Sequence, residues 1–326
     1  MATIEKIEAA AKRLHGKARV TPLLSSPDLD AIAGRRVLVK AECLQHTGSF
    51  KFRGGWAALS ALGFHQRKRG VIAYSSGNHA QGVAAAAKAH NTPAVIVMPA
   101  DAPKLKIDNT RALGAEVVLY DRVGGESREE VGAALAEERG LTLVTPYENP
   151  EVVAGQGSVG LEIARQAAEL GITQADVAIC CGGGGLAAGT ALALEKYAPH
   201  MRVRPVEPQG FDDMARSLAS GEIKSNPSQS GSICDAILTV EPGENTFAIL
   251  SRLAGPGVVV TDAQAIHAMA LAFLRLKIVL EPGGAVSLAA ALFQQDAFDC
   301  DTVIAVATGG NVDPTVFQSA LSQHPF

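Results

Sequence analysis

The chain has 326 residues, 47% hydrophobic and 19% charged, enough to bury a sizeable core in two domains or one large one. A net charge of −4 without any basic run argues against nucleic acid as the main partner. The apolar runs are too short to span a bilayer, and the acidic, amphipathic start Met1-Ala2-Thr3-Ile4-Glu5-Lys6 is unlike a signal or transit peptide.

In chain order, strands are expected at 36–41, 70–74, 94–98, 115–120, 141–145, 175–181, 202–206, 258–261 and 302–306. Several are apolar without alternation, as in strands covered on both faces. Helical patterns fall between them at 79–90, 127–138, 157–170, 186–197 and 263–276. This alternation predicts an α/β fold with open, mostly parallel sheets. The polar stretch 221–231 reads as a loop. Cys43, Cys180, Cys181, Cys234 and Cys300 are odd in number and lack metal spacing, so a reducing cytoplasm is expected.

Gly48-Ser49-Phe50-Lys51-Phe52-Arg53-Gly54 sets one lysine between two aromatics at the first turn of an expected helix. Apolar neighbours, a helix N-terminus and the nearby Arg53 all disfavour an ammonium, and Ser49 is placed to cap that helix. A lysine made neutral in this way is a Schiff-base nucleophile. Further on, Gly182-Gly183-Gly184-Gly185 joins a strand to a helix, so backbone N–H groups and a helix N-terminus face an anion. The same run loosely matches a dinucleotide fingerprint, and Glu207 ends the next strand where a ribose-binding acid would lie. A nicotinamide oxidoreductase is therefore a rival reading, although it leaves the lysine motif unexplained.

With Tyr74-Ser75-Ser76-Gly77-Asn78-His79, Glu281-Pro282-Gly283-Gly284-Ala285 and Thr308-Gly309-Gly310-Asn311, these motifs in this order resemble the second fold type of pyridoxal-phosphate enzymes, the tryptophan synthase β-like fold. Within it they are most similar to the serine/threonine dehydratases, serine racemase and 3-hydroxyaspartate dehydratases. The likeness runs from about Ala18 to about Pro314. It leaves no counterpart for the regulatory domain of long biosynthetic threonine dehydratases, so isoleucine feedback is not expected.

The resemblance implies a large discontinuous domain (1–66 and 147–326), a small domain (67–146) and a homodimer. It makes Lys51 the lysine that carries pyridoxal phosphate and then removes the α-proton. Phe50, Asn78, residues Gly182, Gly183, Gly184, Gly185 and Leu186, and Thr308 would hold the cofactor, with Asn78 on the ring oxygen and Thr308 on the ring nitrogen. Ser75, Ser76, Gly77 and His79 would frame the substrate carboxylate, and Ser76 is placed to deliver a proton to the second face. Arg128 would reach a substrate carboxylate. Tyr147 stands where serine racemase differs, and is expected to meet a second polar group such as the β-carboxylate of 3-hydroxyaspartate. Glu207, the Phe211 carbonyl and Asp213 resemble a loop that binds Mg²⁺, Mn²⁺ or Ca²⁺. The expected activity is a dehydratase, or ammonia-lyase, acting on a 3-hydroxy amino acid. A serine or aspartate racemase and a non-catalytic PLP-binding protein are the alternatives.

Overall fold

The structure, a computed structural model, describes residues 1–75, 77–102, 104–121, 124–228 and 230–323. In chain order its helices are α1 Ile4–Leu14, α2 Pro27–Ala33, α3 Lys51–Ala61, α4 Phe64–Arg69, α5 Asn78–Ala89, α6 Lys104–Ala112, α7 Arg128–Arg139, α8 Pro150–Glu169, α9 Gly185–Tyr197, α10 Asp213–Ser220, α11 Glu244–Leu253, α12 Asp262–Leu271, α13 Pro282–Phe293 and α14 Pro314–Gln323. The strands are β1 Leu23–Ser25, β2 Arg36–Lys40, β3 Val71–Tyr74, β4 Ala94–Pro99, β5 Glu116–Tyr120, β6 Thr142–Leu143, β7 Ala175–Cys180, β8 Met201–Pro208, β9 Val258–Val260 and β10 Thr302–Val306.

The chain divides into two compact units. One comprises Met1–Ala18 and Lys51–Gln156, the other Arg19–Phe50 and Gly157–Phe326. The first holds a four-stranded sheet in the order β5-β4-β3-β6, parallel throughout. It reaches beyond residues 67–146 because α3 packs on α5 and shares one apolar core with it, from Phe52 and Leu59 to Val83 and Ala87.

The second unit holds a six-stranded sheet, order β1-β2-β10-β7-β8-β9. All its pairs are parallel except β1 on β2. Every residue of β7 is buried, which is why its sequence runs apolar instead of alternating. Helix α13, apolar on all sides, lies in the core with β7 and β10. The short edge strand β1 has no counterpart in the sequence reading, because three residues carry no periodic signal.

Lys40 ends β2 fully buried. Its ammonium donates to Thr21 O at 2.7 Å, Glu162 Oε2 at 2.6 Å and Gln166 Oε1 at 2.9 Å. Removing one partner of such a pair leaves the other charge buried and uncompensated. Lys40→Met is therefore expected to destabilise the protein by about 3–5 kcal/mol in urea unfolding; an unchanged midpoint would show that Glu162 finds another partner.

Candidate active site

Lys51 is the first residue of α3, and its ammonium nitrogen lies 3.1 Å from the Pro146 carbonyl oxygen. Burial lowers its pKa from 10.5 to about 8. The backbones of α3 and α5 touch where they cross: a Cβ on Gly82 would stand 2.7 Å from Lys51 O, and one on Gly55 2.7 Å from Gly82 O. Any larger residue at either position would push the lysine off α5. Desolvation is the cause of the lowered pKa. One expectation about the geometry is corrected. Ser49 does not cap α3; its hydroxyl is buried with no hydrogen bond among the described residues, and its extended backbone bridges to Gly309.

Asn78 is the first residue of α5, with Gly77 in the cap position, and Ser75 Oγ accepts from Gly77 N at 3.1 Å. Nothing stands within 4 Å of where a Cβ on Gly77 would sit, so the α5 N-terminus has open space in front of it. Ser76 lies outside the described residues. The His79 imidazole is buried, with Nε2 2.8 Å from Val144 O and Nδ1 without a partner among the described residues. Burial, and then the charge of Lys51, push its pKa down to about 3, so it stays neutral. His79 thus clamps the segment that leads through Val144 to Pro146, which in turn holds Lys51. Arg128 opens α7 and lies within electrostatic reach of Tyr147, whose phenol burial pushes up.

In the other unit, Gly184 precedes α9 at φ 90, a left-handed conformation that favours glycine, and a Cβ there would stand 2.8 Å from Met214 Cε. No side chain caps α9. Thr246 Oγ1 donates to Gly183 O at 2.6 Å and so fixes the turn. The N–H groups of residues 185–187 form an uncapped helix end of the kind that receives a phosphate. Thr308 is buried after β10; its carbonyl accepts from Phe50 N at 3.1 Å, which ties the residue preceding Lys51 to the end of that strand. Cys180 lies beside Thr308 with its thiol pushed up by burial, and is a packing residue rather than a nucleophile.

Glu207 is fully buried at the end of β8, where its carboxylate accepts from Met214 N at 3.0 Å and Ala215 N at 2.8 Å. Glu207 therefore caps α10, while Asp212, at the cap position, makes no capping hydrogen bond. Asp213 accepts from Asn226 Nδ2 at 2.6 Å and Thr239 Oγ1 at 3.3 Å. Burial raises both carboxyls, Asp213 to about 6, and Asp213 raises Glu207 further. Phe211 is buried between them in sequence. Two carboxylates and a carbonyl are oxygen donors of the kind a hard cation takes, although among the described residues no group of three or more His, Cys, Asp or Glu side chains is placed to hold a metal ion.

Residues 15–309 match the family model described as pyridoxal-phosphate dependent enzyme. The chain is 42% identical over 312 residues to L-threo-3-hydroxyaspartate ammonia-lyase of a Pseudomonas species, covering 96% of each. Among solved structures, maize serine racemase superposes with a TM-score of 0.91 at 35% identity, covering 99% of this chain and 98% of that one. A threonine deaminase from the organism abbreviated T.th. gives 0.89 at 42%, covering 95% and 99%. This chain belongs to the pyridoxal-phosphate dependent enzymes, and within them to the second fold type that contains the dehydratases and serine racemase. The nicotinamide reading falls with this family match, which spans residues 15–309.

The residues fit this cofactor. Lys51 is an amine with a pKa of about 8, and α9 offers an uncapped N-terminus behind four glycines. Sequence reasoning missed the Pro146 carbonyl, the His79 clamp, Thr246 and the Gly55–Gly82 crossing. Of these, only the glycines inside helical patterns gave a signal.

Between pH 8 and 10.5 the folded protein has released a Lys51 proton that the unfolded chain still holds. The rate at which apoprotein acquires pyridoxal phosphate, followed by absorbance, should therefore rise through pH 8 and then level. A rate still climbing beyond pH 10 would mean that the amine is an ordinary one.

Proposed function

We propose that this protein is an ammonia-lyase that converts 3-hydroxyaspartate, and more slowly serine or threonine, to a keto acid and ammonia. The observation that carries this reading is the half-buried Lys51, whose amine lies on the Pro146 carbonyl with its pKa lowered to about 8, one residue before Tyr147. Its support in kind is the 42% identity to L-threo-3-hydroxyaspartate ammonia-lyase across 96% of both chains.

Pyridoxal phosphate, when bound, supplies the electron sink that makes an α C–H bond breakable. Lys51 would hold the cofactor through Nζ and, once displaced by the substrate amine, would take the α-proton at that same atom. The N–H groups of residues 182–186 would receive the phosphate, the Asn78 amide would face the ring oxygen, and the Thr308 hydroxyl the ring nitrogen. A neutral hydroxyl cannot keep that nitrogen protonated as a carboxylate would, which favours quick loss of a β-hydroxyl over a long-lived carbanion. Ser75, Gly77 and the α5 N-terminus would orient the α-carboxylate, and Arg128 and Tyr147 the second one. Loss of water followed by its return in hydrolysis leaves a keto acid and ammonia.

A divalent cation on Glu207, Asp213 and the Phe211 carbonyl, a homodimer and a cytoplasmic location belong to the same proposal. The free thiols of Cys43, Cys180, Cys181, Cys234 and Cys300 support a reducing compartment. Among the described residues no helix is long and apolar enough to cross a membrane.

The test is ammonia and keto-acid release from the holoenzyme with the separate 3-hydroxyaspartate stereoisomers, L- and D-serine and L-threonine. Fast release from one 3-hydroxyaspartate isomer is expected. Inverted amino acid without ammonia would make the protein a racemase. The cation has its own test: Mg²⁺, Mn²⁺ or Ca²⁺ should raise the melting temperature of chelator-treated protein, and Asp213→Ala should abolish that rise. Indifference to both would remove the ion.

A further inference from the structure

Tyr74 ends β3 and immediately precedes Ser75, at the start of the turn into α5. The Arg128 guanidinium carbon stands 5.5 Å from the centre of the Tyr74 ring. On the same face of α7, one turn on, is Gly132, and a Cβ there would lie 3.1 Å from Tyr74 Cδ1. The ring is seated in the notch that this glycine leaves, so the backbone of α7 and the face of the aromatic fix where the cation sits. Among the described residues, the hydrogen bond made by the guanidinium runs from Nε to Glu129 Oε1 at 2.7 Å, along one edge of the fork. Tyr147 and Tyr120 lie within electrostatic reach of the same cation. Burial raises the Tyr74 and Tyr147 phenols, so both keep their protons. The Arg128 guanidinium and the protonated Tyr147 phenol are donors of the kind a planar anion takes, while Tyr74 contributes the face of its ring.

The place of this cluster in the chain matters. Tyr74 is adjacent to the Ser75 turn, and Tyr147 follows Pro146, whose carbonyl holds Lys51. A ligand reaching the cluster is thus anchored one residue away from two segments of the candidate site.

We infer that Tyr74, seated against Gly132, is the positioning residue for Arg128, and that the site it serves takes amino acids bearing a second carboxylate. The inference rests on the lyase reading for its substrate class, and deepens it. Tyr74 touches no reacting atom; it acts by holding the guanidinium over its ring. A leucine in its place keeps the volume roughly but loses the face that attracts the cation. A phenylalanine keeps that face.

The experiment compares L-aspartate with L-alanine on the holoenzyme, following the cofactor absorbance to obtain dissociation constants. Neither ligand has a β-leaving group, so the result does not depend on elimination; failure of the lyase reading would appear separately, in ammonia release by the wild type. Wild type should bind L-aspartate more tightly than L-alanine. Tyr74→Leu should weaken L-aspartate about five- to tenfold and leave L-alanine within about twofold. Tyr74→Phe should match the wild type with both ligands. Gly132→Ala, which favours the helix by propensity and so should fold, should weaken L-aspartate in the same direction, and should add little in a Tyr74→Leu background. Equal loss for both ligands, no loss for either, or a wild type with no preference for L-aspartate would each overturn the inference.

Discussion

Desolvation of one amine governs this structure. Lys51 opens a helix whose backbone lies against α5 at Gly55 and Gly82, and burial disfavours its ammonium. A lysine at its ordinary pKa of 10.5 would be protonated in all but about one molecule in a thousand near neutral pH. A pKa of about 8 brings the neutral form to a useful fraction. The surrounding residues serve that condition. Pro146 gives the amine an acceptor, and His79 holds the segment that presents it while staying neutral beside it. A protonated imidazole at that position would add a second cation to a buried site that already disfavours the first.

The other unit presents a helix N-terminus, a group suited to an anion. Gly184 turns the chain from β7 into α9, and Thr246 anchors the turn by its carbonyl, so the amide groups at the helix start remain available. The end of β10 is tied to the lysine motif through Thr308 O and Phe50 N, and through the Ser49–Gly309 bridge. Two motifs far apart in sequence are therefore neighbours beside the end of β10. The buried carboxylates at Glu207 and Asp213 stand apart from this chemistry. They cap and brace α10, and burial raises both.

Much of this was legible in the sequence because the signals were local. Apolar runs without alternation marked β4, β7 and β10, and four consecutive glycines marked the turn from β7 into α9. The aromatic neighbours of Lys51 pointed to a desolvated amine. What stayed hidden depends on tertiary contact. Ser49 has the right residue type and offset for a cap, but pairing with Gly309 turns it into a strand-like residue. Asp212 also sits at a cap position, yet Glu207 reaches α10 first from the end of β8. The Pro146 carbonyl is a backbone group, and no side chain announced it. Gly55 and Gly82 matter only because two helices cross there, which no local pattern shows. The full burial of Lys40, an ion pair inside a sheet-rich core, runs against its residue type and was set by Glu162, more than a hundred positions away.

The most direct measurement is borohydride reduction of the holoenzyme followed by peptide mass analysis. The account predicts that the cofactor mass is fixed on Lys51 alone, in the peptide that contains Phe50 and Phe52. Label on another lysine, or cofactor released intact after reduction, would contradict it.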